Sequence, residues 1–188
     1  VTAMGGLEKL QAVKDVTTAG KLKLTMPQGS FDADAEETVL YPDRYKMVMK
    51  LPMAVITQAY DGGTAWMAQG AQSQALPEKF AKEMAKDVQA AVGGLGMLVA
   101  AATGKAEVQL IDETTVLWKA GEFEAKLTFD AASGHLVKLI YNSIGMGGPA
   151  ETEAAFGGFS AVDGVTLPTI ETTSQNGQKV GERTITTR

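Results

Sequence analysis

The chain has 188 residues, of which 45% are hydrophobic and 21% charged, with a net charge of −5 and no cysteine. This composition is typical of a folded domain with its own core, and the scattered Lys and Arg residues exclude the basic surface expected for binding nucleic acid. The lack of Cys excludes disulfides, thiolate metal sites and cysteine nucleophiles, and it leaves the cellular compartment open.

The first predicted elements are a helix and two strands. Leu7, Leu10 and Val13 are spaced by three, which predicts a helix over residues 4–14. From Val16 the apolar period changes to two, which predicts a strand that ends at the turn 27–29.

A second strand is predicted over residues 31–41, where apolar and polar side chains alternate. Its polar side includes Asp32, Asp34 and Glu36, all pointing in one direction. Such a row is typical of a solvated strand face, and a calcium site is the alternative.

Two hairpins follow. Residues 44–51 and 54–60 alternate again, and Asp61-Gly62 is a strong turn sequence before the strand 64–68. Trp66 lies in this last strand, where its ring either packs on the sheet or contacts a ligand at the mouth of the sheet.

The middle of the chain predicts a helical lid over residues 77–103. Apolar residues recur every four positions between Leu76 and Val92, and Pro77 begins an amphipathic helix there. The uncharged run that follows is too short and too rich in glycine to cross a bilayer, so we expect no transmembrane segment.

Glycines 93, 94 and 96 allow two interpretations: a hinge for the lid, or a helix end with close packing. Neither this segment nor the glycine-rich segment 145–148 matches a phosphate-binding loop.

The C-terminal third predicts further antiparallel strands. The strand that ends at Asp130 is followed by Ala-Ala-Ser-Gly and a return strand from His135, which together predict a β-hairpin. Phe159–Pro168 predicts another turn between extended segments. The predicted strands of this part are 108–110, 116–119, 122–129, 135–142, 150–160, 166–174 and 179–187.

The order of these elements resembles the periplasmic lipoprotein carriers and acceptors of the LolA/LolB type. The likeness rests on the opening helix, the strand series, the central helical insertion, the D-x-x-x-G-x-L-x-x-L hairpin (Asp130 to Leu139) and the F-x-x-V-D-G-V-x-L-P segment (Phe159 to Pro168). It implies an α+β fold in which a curved antiparallel sheet of about 11–12 strands forms an incomplete β-barrel, with helices covering the concave face. The whole chain, 1–188, is expected to be one such domain.

The resemblance also implies an apolar hollow that takes acyl chains. Methionines suit such a lining because they are unbranched and adaptable. The alternative is that they fill an ordinary core between helix and sheet. The residues predicted to bind the hydrophobic ligand are Met47, Met49, Met53, Trp66, Met84 and Met97.

A narrower likeness involves Gly5-Gly6-Leu7, Tyr41-Pro42-Asp43-Arg44 and the segment Tyr60–Trp66. These resemble domains that follow insulinase-like zinc peptidases in some bacteria, which implies that other domains of a longer parent chain would be partners. The zinc-binding His-x-x-Glu-His sequence of such peptidases does not occur here, and His135 is the one histidine.

No catalytic residue, metal ligand or cofactor site is predicted. His135 adjoins a turn, and no Gly-x-Ser-x-Gly sequence presents a nucleophilic serine. The sequence therefore predicts a non-enzymatic protein that binds a lipid or an acylated protein in a periplasmic or other extracytoplasmic space. The alternative is an accessory domain of a larger secreted protein, such as a zinc peptidase, with no ligand of its own.

Overall fold

Thirteen strands form one antiparallel sheet in the computed structural model, which describes residues 1–26, 29–145 and 148–188. The sheet is curved and open, because its two edge strands do not pair with each other. In chain order the strands are β1 (Asp15–Met26), β2 (Gly29–Leu40), β3 (Arg44–Leu51), β4 (Ala54–Asp61), β5 (Thr64–Gln69), β6 (Gln72–Ala75), β7 (Glu107–Leu110), β8 (Thr115–Ala120), β9 (Phe123–Phe129), β10 (Leu136–Gly145), β11 (Gly148–Gly157), β12 (Ser160–Val162), β13 (Val165–Leu167), β14 (Ile170–Gln175) and β15 (Gln178–Thr187).

The sheet consists of two halves that meet at one pair of strands. Its order is β6-β5-β4-β3-β2-β1-β15-β14-β11-β10-β9-β8-β7, so β1 and β15 join the N-terminal half to the C-terminal half. Leu22 of β1 lies opposite Arg183 of β15 at this junction. Strands β12 and β13 form a separate hairpin beside the sheet.

The period of two decides which face of each strand is buried. In β2 the residues Ala33, Ala35, Glu37 and Val39 are buried and the residues between them are more exposed. We call the face that carries them the inner face, because it is covered by the long helix. The inward position of the charged Glu37 is unusual and becomes important at the candidate site.

Three helical segments accompany the sheet: a 3₁₀ turn (Thr2–Met4), α1 (Leu7–Ala12) and α2 (Glu78–Ala102). Helix α1 is shorter than the predicted span of residues 4–14, because Gly5 and Gly6 both have positive φ angles of 113° and 91°. Helix α2 lies within the predicted lid of residues 77–103.

Helix α2 reverses its path in the middle. Val92, Gly93 and Gly94 have left-handed φ angles of 53°, 66° and 71°, which divide the helix into a first arm (78–90) and a second arm (95–102). A Cβ atom on Gly93 would lie 2.7 Å from Cδ of Pro168, and one on Gly94 would lie 2.8 Å from Cδ2 of Leu136. The structure therefore supports the interpretation of these glycines as a helix end with close packing.

The main core lies between the second arm and the C-terminal half of the sheet. Leu95 and Met97 of this arm pack with Leu127 and Leu139 of the inner face, and all four are almost fully buried. The indole Nε1–H of Trp118 donates a hydrogen bond of 3.0 Å to the carbonyl oxygen of Met97. This bond fixes the second arm to β8 and gives the buried indole its partner.

The predicted fold class is confirmed, with more strands than expected. The sheet contains 13 strands rather than 11–12, and the short edge strand β6 has a polar sequence without alternation. The predicted strand 150–160 instead ends at Gly157, and the chain leaves the sheet to form the β12–β13 hairpin. Residues 27 and 28 of the first predicted turn, and residues 146 and 147 of the glycine-rich segment 145–148, lie outside the described residues.

The predicted hairpin at Asp130 is confirmed in detail. The carboxylate of Asp130 accepts hydrogen bonds from the backbone N–H and the hydroxyl of Ser133, both at 2.7 Å. The backbone N–H of Gly134 donates to the carbonyl oxygen of Asp130 at 2.8 Å. Asp130 and Gly134 thus close the turn between β9 and β10, as the spacing of the motif predicts.

Substituting Gly93→Ala should destabilise the protein more than substituting Gly104→Ala. Both glycines have left-handed φ angles, 66° and 71°, so each alanine should cost about 1–2 kcal/mol of unfolding free energy. A Cβ on Gly104 would contact nothing within 4 Å, whereas a Cβ on Gly93 would overlap the ring of Pro168. We therefore expect Gly93→Ala to cost about 1–3 kcal/mol more in urea unfolding. Equal losses for the two variants would contradict the close packing of the reversal.

Candidate functional site

A large cavity of about 910 Å³ lies between the two arms of α2, helix α1 and the β8–β9 hairpin. Both arms line this space, because the left-handed residues 92–94 divide α2 into two segments that do not continue one straight helix. The lining residues are Leu10, Gln11, Val13, Lys14, Tyr41, Pro42, Lys82, Glu83, Ala85, Lys86, Gln89, Leu95, Gly96, Val99, Ala100, Lys105, Trp118, Ala120, Glu122 and Phe123.

The walls of the large cavity are mainly aliphatic and aromatic. Val99 and Ala100 of the second arm face Trp118 and Phe123 of the hairpin across this space. The two aromatic rings meet edge to face with centroids 5.5 Å apart, which is a favoured geometry and holds the wall in shape. Such a cavity can hold an apolar ligand by removing its surface from water.

Charged side chains border the same cavity. Four lysines and two glutamates are among its lining residues, although the whole chain carries more acidic than basic groups. One pair, Glu83 and Lys86, fastens the first arm to β10. The carboxylate of Glu83 lies 2.8 Å from Nζ of Lys86 and accepts a hydrogen bond of 3.0 Å from the backbone N–H of Ile144. Lys86 also donates to the carbonyl oxygen of Asn142 at 3.1 Å.

Tyr41 is a polar residue in the wall of the large cavity. Its hydroxyl oxygen is buried and has no hydrogen-bond partner within the described parts of the chain. Burial and the nearby charges of Glu37 and Glu171 raise the pKa of Tyr41, so it stays a neutral phenol at physiological pH. A neutral phenol of this kind can donate a hydrogen bond to a polar atom of a ligand.

A smaller cavity of about 190 Å³ lies under the first arm on the inner face of the sheet. Its polar lining contains a buried ionic cluster of Glu37, Glu171 and Arg183. Nη2 of Arg183 lies 2.6 Å from Oε2 of Glu37 and also 2.6 Å from Oε2 of Glu171. Burial opposes the charge on Arg183, but the two carboxylates raise its pKa, so it remains a cation. The cluster crosses the β1–β15 junction and links the two halves of the sheet.

Asp87 extends this polar region from the first arm. Its carboxyl lies near the hydroxyl of Tyr141, and both residues line the smaller cavity. Burial, Glu83 and Glu37 raise the pKa of Asp87 to about 7, against the opposing effects of Lys86 and Tyr141. The contact between the first arm and the sheet therefore includes Asp87, an acid whose charge changes near neutral pH.

The structure does not bring the six predicted ligand residues together, and none of them lines the large cavity. Met97 is fully buried in the core, and Met84 packs in a small separate cluster with Ala65 and Ala81. Met47 lines the smaller cavity, and Met49 lies two residues along β3 on the same inner face.

The remaining two of the six point away from the interior. Met53 is 97% exposed in the β3–β4 turn, where the chain reverses and no element covers it. Trp66 is 38% exposed and pairs with Ala59 on the outer face, because the inner positions of β5 are Ala65 and Met67. The structure therefore does not place Met53 or Trp66 in an internal hollow, and contact of either side chain with a ligand stays a prediction.

Sequence reasoning missed the residues that form the cavity walls and the ionic cluster. In the sequence, the wall residues Trp118, Phe123 and Val99 are ordinary apolar residues. Only their common position around the large cavity distinguishes them. Glu37 did carry a recognisable pattern, because it occupies an inward, apolar-phase position of the strand 31–41. A charged residue at such a position indicates a buried partner.

The other polar candidates have ordinary structural surroundings. Asp34 pairs with Lys21 on the exposed side of the sheet, and no group of three potential metal-ligating carboxylate, His or Cys side chains occurs in residues 1–26, 29–145 and 148–188. The calcium alternative for Asp32, Asp34 and Glu36 thus gains no support.

His135 is partly buried and stacks on Phe159 with ring centroids 4.3 Å apart. Among the described helices none has the length and hydropathy of a membrane span.

Comparison with known proteins identifies the fold. No protein-family model matches the chain, and no curated protein matches it. Solved structures do match over nearly the whole chain. One is a domain assigned as an outer membrane lipoprotein-sorting protein from Vibrio parahaemolyticus, with a TM-score of 0.62, 11% identity and coverage of 98% of this chain and 91% of that one.

Two further structures agree with this result. A LolA superfamily protein from Nitrosomonas europaea has a TM-score of 0.58 and 12% identity, and the match covers 96% of this chain and 89% of that one. A DUF1329 family protein from Desulfovibrio piger has a TM-score of 0.61 and 9% identity, with coverage of 96% and 87%. The chain therefore has a LolA-like fold. None of these matches supports the suggested association with a zinc peptidase.

Asp87 should make the protein less stable as the pH rises from about 4 to about 7, since its pKa moves from an ordinary value of 3.8 to about 7 on folding. Across this range the unfolded chain has lost the proton while the folded protein keeps it. The contribution of Asp87 to the unfolding free energy is therefore complete below this range and decreases by up to about 1.4 kcal/mol per pH unit within it.

Urea unfolding at a series of pH values would measure this dependence, with Asp87→Asn as the comparison. The amide cannot ionise, so the variant should lose the part of the slope that Asp87 causes, while the contributions of other groups remain in both proteins. Parallel stability curves for the two proteins would show that Asp87 titrates normally.

Proposed function

We propose that this protein binds a hydrophobic ligand, a lipid or the acyl chain of a lipoprotein, in the large cavity and catalyses no reaction. We further propose that it does so in an extracytoplasmic compartment. The observation that carries the proposal is the cavity itself, which is about 910 Å³ of space walled mainly by apolar side chains.

The size and lining of the cavity fit a ligand site. Binding pockets for small molecules typically measure about 300–1,000 Å³ and are lined by hydrophobic and aromatic side chains with a few polar groups. Val99, Ala100, Trp118 and Phe123 provide the apolar surface, and Tyr41 provides a polar atom. Burying an acyl chain here would release the water that these side chains would otherwise face.

The fold gives independent support for the class of ligand and for the compartment. One structural neighbour is assigned as an outer membrane lipoprotein-sorting domain, and another as a LolA superfamily protein. The rival hypothesis, an accessory domain without a ligand of its own, predicts side chains packed tightly between helices and sheet. An open apolar cavity of this volume favours the binding hypothesis instead.

Filling the cavity should weaken binding without unfolding the protein. In the Ala100→Phe variant the new ring would project into the cavity, whereas in Ala102→Phe it would project into solvent from the same arm of α2. We expect Ala100→Phe to weaken the binding of a fluorescent fatty acid by about tenfold or more, which corresponds to about 1.4 kcal/mol. The matched control Ala102→Phe should bind like the wild type.

Fluorescence titration and mass spectrometry of lipids extracted from the purified protein would test the proposal together. Thermal unfolding of both variants checks that the fold is retained. No co-purified lipid and no binding of the fatty acid by the wild type would refute the proposal. Equal binding by Ala100→Phe and Ala102→Phe would place the ligand elsewhere.

A further inference from the structure

Positive charge is concentrated at the border of the large cavity. Lys14 follows α1, Lys82 and Lys86 lie on the first arm, and Lys105 follows the second arm, so three separate segments bring lysines to one place. Glu83 and Glu122 are the acidic groups in the same lining. The chain as a whole has 22 acidic and 17 basic residues, so this local excess of lysine runs against the composition.

The lysines differ in how strongly they are already bound. Lys86 is held by Glu83 and by the carbonyl oxygen of Asn142, as described above, and has a structural role. Lys82 pairs with Glu78 at 3.0 Å, but the two side chains are 70% and 80% exposed, so water screens this pair and it is easily exchanged.

The ammonium groups of Lys14 and Lys105 are held less strongly than that of Lys82. Among the described residues, Nζ of Lys14 has one hydrogen-bond partner, the carbonyl oxygen of Gln11 at 3.5 Å. In the portion of the chain that the structure describes, Lys105 forms no ion pair. Lys14, Lys82 and Lys105, which we call the lysine rim, therefore have ammonium groups available to an anion.

We propose that the cavity selects amphiphiles with an anionic headgroup, a carboxylate or a phosphate, whose charge the lysine rim binds while the acyl chain occupies the apolar interior. This inference rests on the proposed function and adds the chemistry of the headgroup to it. A carboxylate or phosphate accepts hydrogen bonds from ammonium groups, and these charge-assisted bonds are stronger than neutral ones. Lysine also suits this task because its charge sits on a long flexible stem that can follow different headgroups.

The arrangement also explains why apolar walls and free charges occur together. An amphiphile seated with its chain between Val99 and Trp118 would place its head at the border, where Lys14 and Lys105 approach from different segments. A neutral headgroup would gain nothing from these charges. The lysine rim thus discriminates between ligands of equal apolar surface.

Two probes of equal chain length test the inference: a fluorescent fatty acid and its methyl ester. We expect the wild type to bind the acid more tightly than the ester, and we expect added salt to weaken only the binding of the acid. The triple variant Lys14→Gln, Lys82→Gln, Lys105→Gln should bind the acid about tenfold more weakly and the ester unchanged.

The control is a second triple variant, Lys23→Gln, Lys46→Gln, Lys126→Gln, which changes the net charge equally on the exposed outer face of the sheet. It should bind both probes like the wild type. An alkyl phosphate of the same chain length separates the two sources of the anion: tighter binding than the fatty acid indicates a phospholipid-type head, and weaker binding indicates a free fatty acid.

The outcomes separate this inference from the proposed function. Equal affinity for acid and ester, unchanged in the rim variant and insensitive to salt, would overturn the headgroup selection and leave the apolar ligand site intact. Failure of the wild type to bind any of the probes would overturn both. If the rim variant unfolds, the salt dependence of the wild type with the two probes still decides the question.

Discussion

The left-handed reversal at Val92, Gly93 and Gly94 is the constraint on which the candidate site depends. It divides one long helical segment into two arms, and both arms pack against the sheet. The space between the arms is the large cavity. At positions 93 and 94 only glycine tolerates both the positive φ angles and the contacts with Pro168 and Leu136. The shape of the site is thus determined by backbone geometry, and its walls by the side chains that the geometry brings together.

Two kinds of polar group have different roles around this reversal. The cluster of Glu37, Glu171 and Arg183 is buried and paired, so it holds strands β2, β14 and β15 together. The lysines of the rim are exposed and weakly paired, so they remain available. Asp87 belongs to neither group. It is packed against the sheet, but its pKa of about 7 lets its charge change near neutral pH. Charge that fixes the scaffold is therefore separated from charge that can meet a ligand.

Much of the fold can be predicted from local sequence, and the site cannot. Strand β2 alternates over most of its length, and Asp61-Gly62 and Asp130 to Gly134 have residues that their turns require, so these elements follow from neighbouring residues alone. The cavity depends on the direction that the second arm takes after residue 94, which is decided by contacts with Leu136 and Pro168 far along the chain. Burial of individual methionines is equally hard to predict from local sequence. Met53 and Met97 are both apolar, but Met53 is exposed because it lies in a turn, whereas Met97 is buried by the fold around it.

The place of β15 in the sheet has a consequence for biosynthesis. It comes after every other strand along the chain, yet it fills the central position between β1 and β14. The N-terminal strands β1–β6 end at Ala75 and can therefore form a partial sheet with an unpaired edge long before β15 is synthesised. During this interval β1 exposes a row of free backbone groups beside Leu22 and Leu24, which invites pairing with other chains. The strand that covers this edge of β1 is thus the last one to be synthesised.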